Sequence, residues 1–198
     1  MNLDLPVVSA CHREKLERLW VHVREAVDAI ALGGLAEFGV WRGGTAWLMH
    51  EAAGRTRDLW LYDTFSGIPP SAVGAVDLHA AGDFGDNSLE SVRSLFADRS
   101  NVHLVPGDFD RRRVPLEALV FVHIDADMFA SYEAALPVFW DRLVLGGAMI
   151  LDDYGVPSCE GATAATDRWR RDLSINRARL YFEPFAAPHF GALVKKLW

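Results

Sequence analysis

Short apolar runs alternate along this chain with stretches of helical periodicity, and an acidic residue stands just beyond most of the runs. Alternation of this kind implies a largely parallel sheet with helices on both faces, because each crossover helix must pack on the sheet it bridges. In such a sheet, ligands bind outside the carboxyl ends of the strands. The acids concerned are Asp63, Asp108, Asp125, Asp152 and Asp153. One such carboxylate is an ordinary loop residue; five along one sheet edge point to a site.

The periodicity predicts a helix over His12–Ile30, stopped by Gly33-Gly34, then a strand over Leu35–Val40 and a helix over Thr45–Ala53. A second strand, Leu59–Tyr62, leads through Asp63 to a long loop, Ile68–Asp86, carrying Pro69-Pro70 and three glycines. Loops of that length are often lids or binding loops. Asn87-Ser88-Leu89-Glu90 reads as a capping box opening a helix through Phe96. Further strands are predicted at Val102–Val105, Leu119–Ile124 and, after a Gly146-Gly147 turn, Ala148–Leu151. Helices are predicted at Ser131–Leu143 and Gly161–Leu173, with Leu180–Phe182 and Ala192–Lys196 as a closing pair of strands. No linker or repeat divides the chain. Residues 1–198 are expected to form one domain, with an N-terminal helical segment over 1–34 and an α/β core over 35–198.

Composition narrows the partners. The 198 residues carry a formal charge of -7, which disfavours nucleic acid, whose phosphates select basic surfaces. An acidic cleft holding a cation is the better match. No apolar run reaches membrane-spanning length, and Met1–Ala10 lacks the features of a signal peptide. Cys11 and Cys159 stand far apart without metal-binding spacing, so two free thiols in a reducing cytoplasm are expected.

The first turn runs Glu37-Phe38-Gly39-Val40-Trp41-Arg42-Gly43-Gly44-Thr45. Gly39 and Gly43 allow close backbone approach to a ligand, and the helix from Thr45 aims free N–H groups at it. The turn is not GxGxxG, and Glu37 suits an amine-bearing ligand better than a pyrophosphate. Asp63 is placed to accept from ribose hydroxyls. Asp108 is placed to accept from an adenine amino group, with Phe109 stacked nearby. The densest cluster is His123-Ile124-Asp125-Ala126-Asp127 with Asp152-Asp153-Tyr154. Carboxylates so crowded repel unless a cation neutralises them, and oxygen ligands select Mg²⁺ or Ca²⁺. Such a cation lowers the pKa of a substrate hydroxyl, a nearby carboxylate removes the proton, and the oxygen attacks an electrophilic methyl. His123 reads as a packed core histidine, His189 as a loop histidine, and Arg111-Arg112-Arg113 as a solvated run.

Four segments together resemble the macrocin O-methyltransferase family: Glu37 to Thr45, Tyr62-Asp-Thr-Phe-Ser-Gly-Ile-Pro69, His123-Ile-Asp-Ala-Asp-Met-Phe-Ala-Ser131 and Leu151-Asp-Asp-Tyr-Gly155. The resemblance implies the Rossmann-like class I methyltransferase fold, S-adenosylmethionine and Mg²⁺, and a hydroxylated small-molecule acceptor such as a natural product or its sugar. It implies that Glu37, Gly39, Asp63 and Asp108 hold the cofactor, with Thr45, Thr64, Phe109 and Asp125 completing that wall. It implies that Asp125, Asp152 and Asp153 bind the metal. Catechol-type relatives have a lysine where this chain has Met128, which moves the general-base role to Asp127, with Asp125 able to exchange roles with it. The family's N-terminal region is longer and helps form the substrate lid and a dimer. A differently built acceptor pocket is therefore expected, and a homo-oligomer is compatible with the resemblance.

Two other readings compete. A nicotinamide-dependent oxidoreductase is disfavoured by the missing GxGxxG and by the absence of a Tyr-x-x-x-Lys pair. A non-catalytic cation-binding protein would use the acids as a structural site.

Overall fold

The computed structural model describes residues 5–115, 117–175 and 179–197. Its first helix, α1 (Arg13–Ala29), buries Leu16, Leu19, Val23 and Ala26, one stripe at helical spacing. Arg57 fixes its exit. The guanidinium donates to the carbonyls of Val27, Ile30 and Gly33 at 3.2, 2.7 and 3.1 Å, satisfying groups that the end of the helix leaves open.

The sheet comprises β1 (Gly34–Phe38), β2 (Leu59–Asp63), β3 (Val102–Pro106), β4 (Leu119–Ile124), β5 (Leu143–Leu151), β6 (Leu180–Pro184) and β7 (Ala192–Lys196). Their order is β3-β2-β1-β4-β5-β7-β6. The first five are parallel; β7 runs antiparallel to both β5 and β6. This is the expected Rossmann-like arrangement. The strand order reverses between β1 and β4, which is where an open α/β sheet forms its ligand crevice.

Alternation along the strands builds two cores. Leu35, Leu59, Leu61 and Phe121 pack with α1, α2 (Gly44–Ala52) and α3 (Leu89–Leu95). Ala36, Tyr62, Val122 and Met149 face the other way, against α4 (Phe129–Arg142) and α5 (Glu160–Ile175). Trp140 and Trp169 meet there edge to face at 5.5 Å. Among the described residues, no helix is long and apolar enough to cross a membrane.

Three local expectations shift. The capping box moves one residue on. Ser88 is the N-cap and exchanges hydrogen bonds with Ser91, while Asn87 donates to the Trp41 carbonyl. Helix α4 starts at Phe129 rather than Ser131, because Asp77 of the long loop accepts the Phe129 N–H at 2.9 Å and caps it from outside. Gly146-Gly147 lies within β5 and is not a turn before it. Leu119 pairs with Leu143 but Phe121 with Ala148, so the extra residues form a bulge.

Arg57→Ala is expected to destabilise the chain by about 1–3 kcal/mol, since three charge-assisted hydrogen bonds to the end of α1 are lost. Equilibrium urea unfolding measures it; an unchanged midpoint would show that water replaces the guanidinium at no cost.

Candidate active site

A cavity of about 360 Å³ opens over the β1/β4 crevice, within the size range of small-molecule sites. The ladder continues past the strand ends: Asp125 N–H donates to the Phe38 carbonyl at 2.8 Å and Asp152 N–H to the Ile124 carbonyl at 2.9 Å. The acids are therefore held in register along one edge. Of the residues expected at the site, Gly39, Thr45, Asp63, Thr64, Asp108, Phe109, Asp125 and Asp127 line the cavity. Glu37, Asp152 and Asp153 do not line it.

Asp63 organises two turns at once. One oxygen accepts the N–H groups of Val40 and Trp41 at 2.7 and 2.9 Å, and the other accepts the Phe65 N–H at 2.6 Å. Trp41 and Phe65 both have left-handed φ, 48° and 53°, a strain that these bonds offset. Thr64 donates to the Gly67 carbonyl at 2.6 Å and shapes the same turn. Gly39 lines the cavity and is also required by the fold itself. Its φ is +88°, and a Cβ there would lie 1.6 Å from the Asp125 carbonyl oxygen. The glycine lets the first turn close onto β4. Gly43 likewise makes room for Leu95 of α3. On the far side, Asp108 is exposed and accepts from Ser71 Oγ at 3.1 Å. The Phe109 ring packs on Phe38 at 4.9 Å and forms a flat apolar wall beside it.

Glu37 is fully buried. One oxygen accepts from His123 Nδ1 at 2.8 Å, and the other has no partner among the described residues. Burial pushes its carboxyl up against the pull of His123. His123 is buried as expected, but it also carries charge between strands. Its Nε2 lies 3.8 Å from Asp152. Burial opposes the imidazolium, yet Asp152 and Glu37 outweigh burial and push it up to about 10.

Lys15, unmarked by any motif, places Nζ 2.6 Å from Asp152 Oδ2. Burial works against the Asp152 charge, but His123 and Lys15 hold the carboxyl below its usual range. Asp125 has no such cation. Burial and the carboxylates of Asp152 and Asp153 raise it well above the ordinary range. Asp153 turns one oxygen into the loop after β4, accepting from Ala126 N–H, Asp127 N–H and Tyr132 OH at 3.1, 2.9 and 2.8 Å. Asp127 has φ 55°. Burial first, then Asp153, pushes it up to about 8.

These residues fit a hard cation between Asp125 and Asp152. A carboxylate oxygen of each and Cys11 Sγ lie within 4.8 Å of one another, and Mg²⁺ commonly takes one or two carboxylates with water and substrate oxygens. Asp153 stands differently from the expectation, with one oxygen engaged in shaping the loop. His189 sits beside Glu14, 3.8 Å away, and does not line the cavity. Sequence reasoning missed Lys15 and His79, because a lysine on a charged helix and a histidine in a loop carry no local signal.

Residues 3–180 match the family described as Macrocin-O-methyltransferase (TylF). The demethyldecarbamoylnovobiocin O-methyltransferase of Streptomyces niveus is 28% identical over 82% of this chain and 67% of its own length. The 8-demethyl-8-(2,3-dimethoxy-alpha-L-rhamnosyl)-tetracenomycin-C 4'-O-methyltransferase of Streptomyces olivaceus is 34% identical over 75% of this chain and 63% of its own. The chain thus spans about two thirds of the length of these relatives. The solved structure of the O-methyltransferase NovP superposes with a TM-score of 0.78 at 26% identity, covering 93% of this chain and 80% of that one.

Gly39→Ala is expected to cost about 3 kcal/mol or more, from the left-handed φ and the collision with the Asp125 carbonyl combined. Chemical denaturation reads this directly; a loss under about 1 kcal/mol would mean that the turn relaxes away from β4.

Proposed function

The chain belongs to the macrocin O-methyltransferase family, and from that premise we propose that it methylates a hydroxyl of a small natural product, or of a sugar carried on one, using S-adenosylmethionine. The carrying observation is the cavity at the β1/β4 crevice, where Asp63, Asp108, Asp125 and Asp127 converge. The names of its relatives, one of which specifies a rhamnosyl group, support a hydroxylated and often glycosylated acceptor.

Asp63 and Asp108 are the acceptors for the polar edges of the nucleoside, and Phe109 is the apolar wall against which its base packs. The cavity-lining carboxylates Asp63, Asp108, Asp125 and Asp127 suit a sulfonium cofactor better than a pyrophosphate. Asp127 faces the cavity with its carboxyl raised to about 8, near the working range of a general base. It takes the proton of the acceptor hydroxyl as the new O–CH₃ bond forms and the S–CH₃ bond breaks. When bound, the cofactor supplies the electrophilic methyl, and Mg²⁺ held by Asp125 and Asp152 supplies charge stabilisation for the reacting oxygen. Tyr132, Asp153 and the loop after β4 hold Asp127 in place. Much of the acceleration comes from that fixed orientation.

Calorimetric titration with S-adenosylmethionine and S-adenosylhomocysteine, with and without Mg²⁺, is expected to show micromolar binding of both; folded protein that binds neither would sink the proposal. Asp127→Asn is expected to lower kcat by about 10²–10⁴-fold while S-adenosylhomocysteine binding is kept. Full turnover in that variant would move the base role to Asp125. Asp152→Ala is expected to abolish Mg²⁺-dependent turnover and to leave cofactor binding intact.

A further inference from the structure

Beyond the methyl-transfer reading, a second group of ligand-type side chains meets beside the cavity; it shares Asp127 with that reading, so with an ion bound there the base role passes to Asp125. His79 comes from the 68–86 loop, Asp127 from the turn after β4, and Cys159 from the segment leading into α5. Cys159 Sγ is 3.4 Å from Asp127 Oδ1 and 3.8 Å from His79 Nε2. His79 Nε2 is 3.7 Å from Asp127 Oδ1.

Those separations are close to the edges of a coordination tetrahedron. Zinc bonds of about 2.3 Å to sulfur and about 2.0–2.1 Å to nitrogen or oxygen, at tetrahedral angles, put ligand atoms roughly 3.3–3.6 Å apart. The triangle needs to close by only a few tenths of an ångström. Its chemistry is also selective. A thiolate with an imidazole and one carboxylate suits zinc-like transition metals and not Mg²⁺ or Ca²⁺, which prefer oxygen throughout.

The surroundings support the same reading. Behind His79, its other ring nitrogen lies 3.6 Å from Asp83 Oδ2, just beyond hydrogen-bond distance but in the place of the carboxylate that orients metal-bound imidazoles. Asp127 is held in a left-handed conformation, with its N–H fixed to Asp153 at 2.9 Å. Cys159 is buried, at 3% exposure.

We propose that His79, Asp127 and Cys159 form a transition-metal site of the zinc class that fastens the 68–86 loop to the sheet edge. The loop supplies Ile68, Ser71 and Phe84 to the cavity wall, and Phe84 packs on the His79 ring at 5.3 Å. An ion in this site therefore fixes the wall as well as the three ligands. It is separate from the Asp125–Asp152 position, where the nearby thiol is Cys11.

Cobalt is the probe. The full chain, freed of metal with a chelator and kept reduced, is titrated with Co²⁺ and then with Zn²⁺. A thiolate-to-cobalt charge-transfer band with ligand-field bands of tetrahedral intensity is expected, bleached by Zn²⁺. Cys159→Ser should lose the charge-transfer band, and Cys11→Ser should keep it. Asp83→Asn should weaken Co²⁺ binding by about 10–100-fold, and His79→Ala by at least as much. His79 lies in a loop, so that variant reports even if Cys159→Ser fails to fold, which circular dichroism shows. Folded protein with no sulfur band, a band that survives His79→Ala at full affinity, or a band that follows Cys11 each overturns the proposal. The spectral readout needs neither cofactor nor methyl acceptor, so its failure is separate from failure of the methyltransferase reading.

Discussion

Electrostatic repulsion at one sheet edge is the constraint around which this molecule is arranged. Asp125, Asp127, Asp152 and Asp153 stand at the ends of two adjacent strands, with Glu37 buried on a third. In a low-dielectric setting they cannot all be charged without compensation. The fold answers with Lys15 on Asp152, His123 between Glu37 and Asp152, and backbone N–H groups with the Tyr132 hydroxyl on Asp153. Asp125 and Asp127 receive less compensation, and both are raised. Of this cluster, these are the two that line the cavity. The structural acids are neutralised from within, and the cavity-facing acids remain available to a ligand, a proton or a cation.

The fold was legible in the sequence because parallel sheets impose a strong pattern. Apolar runs buried on both faces, such as Leu119–Ile124, can be little other than central strands, and the acids mark where they end. What the sequence hid depends on contacts between distant segments. Asp77 caps α4 from 52 residues away, so no local rule finds the helix start. The β5 bulge arises from pairing with β4, and Gly146-Gly147 alone reads as a turn. The first-turn glycines read only as room for a ligand, while the structure also needs that room for the chain itself. The neighbour that Gly39 admits is the Asp125 carbonyl.

The site divides along the same line. Eight expected residues reached the cavity because each sits at a strand end or one turn beyond it, positions fixed by topology. Asp153 and Glu37 also sit at strand ends, but their side chains point elsewhere. Asp152 and Asp153 lie in the turn after β5, where no periodicity fixes the direction of a side chain, so spacing alone could not place both on one ion. Lys15 was invisible for the opposite reason. It lies on a helix read only for its apolar stripe, and its function comes from how α1 docks.

That docking ties the N-terminal helix to the chemistry. Leu16 and Leu19 anchor α1 in the core next to the face that carries Lys15, so the ammonium reaches Asp152 from a fixed base and moves only through its own side-chain rotamers. A divalent ion at the proposed Asp125–Asp152 position would meet Lys15 at the Asp152 carboxylate. Two cations at one carboxylate repel each other, so the ion would compete with Lys15 for it. Its affinity is then the acids' attraction less the work of displacing a buried ion pair. The lysine thus neutralises Asp152 within the fold, and at the proposed metal position it would set a threshold for a cation to enter.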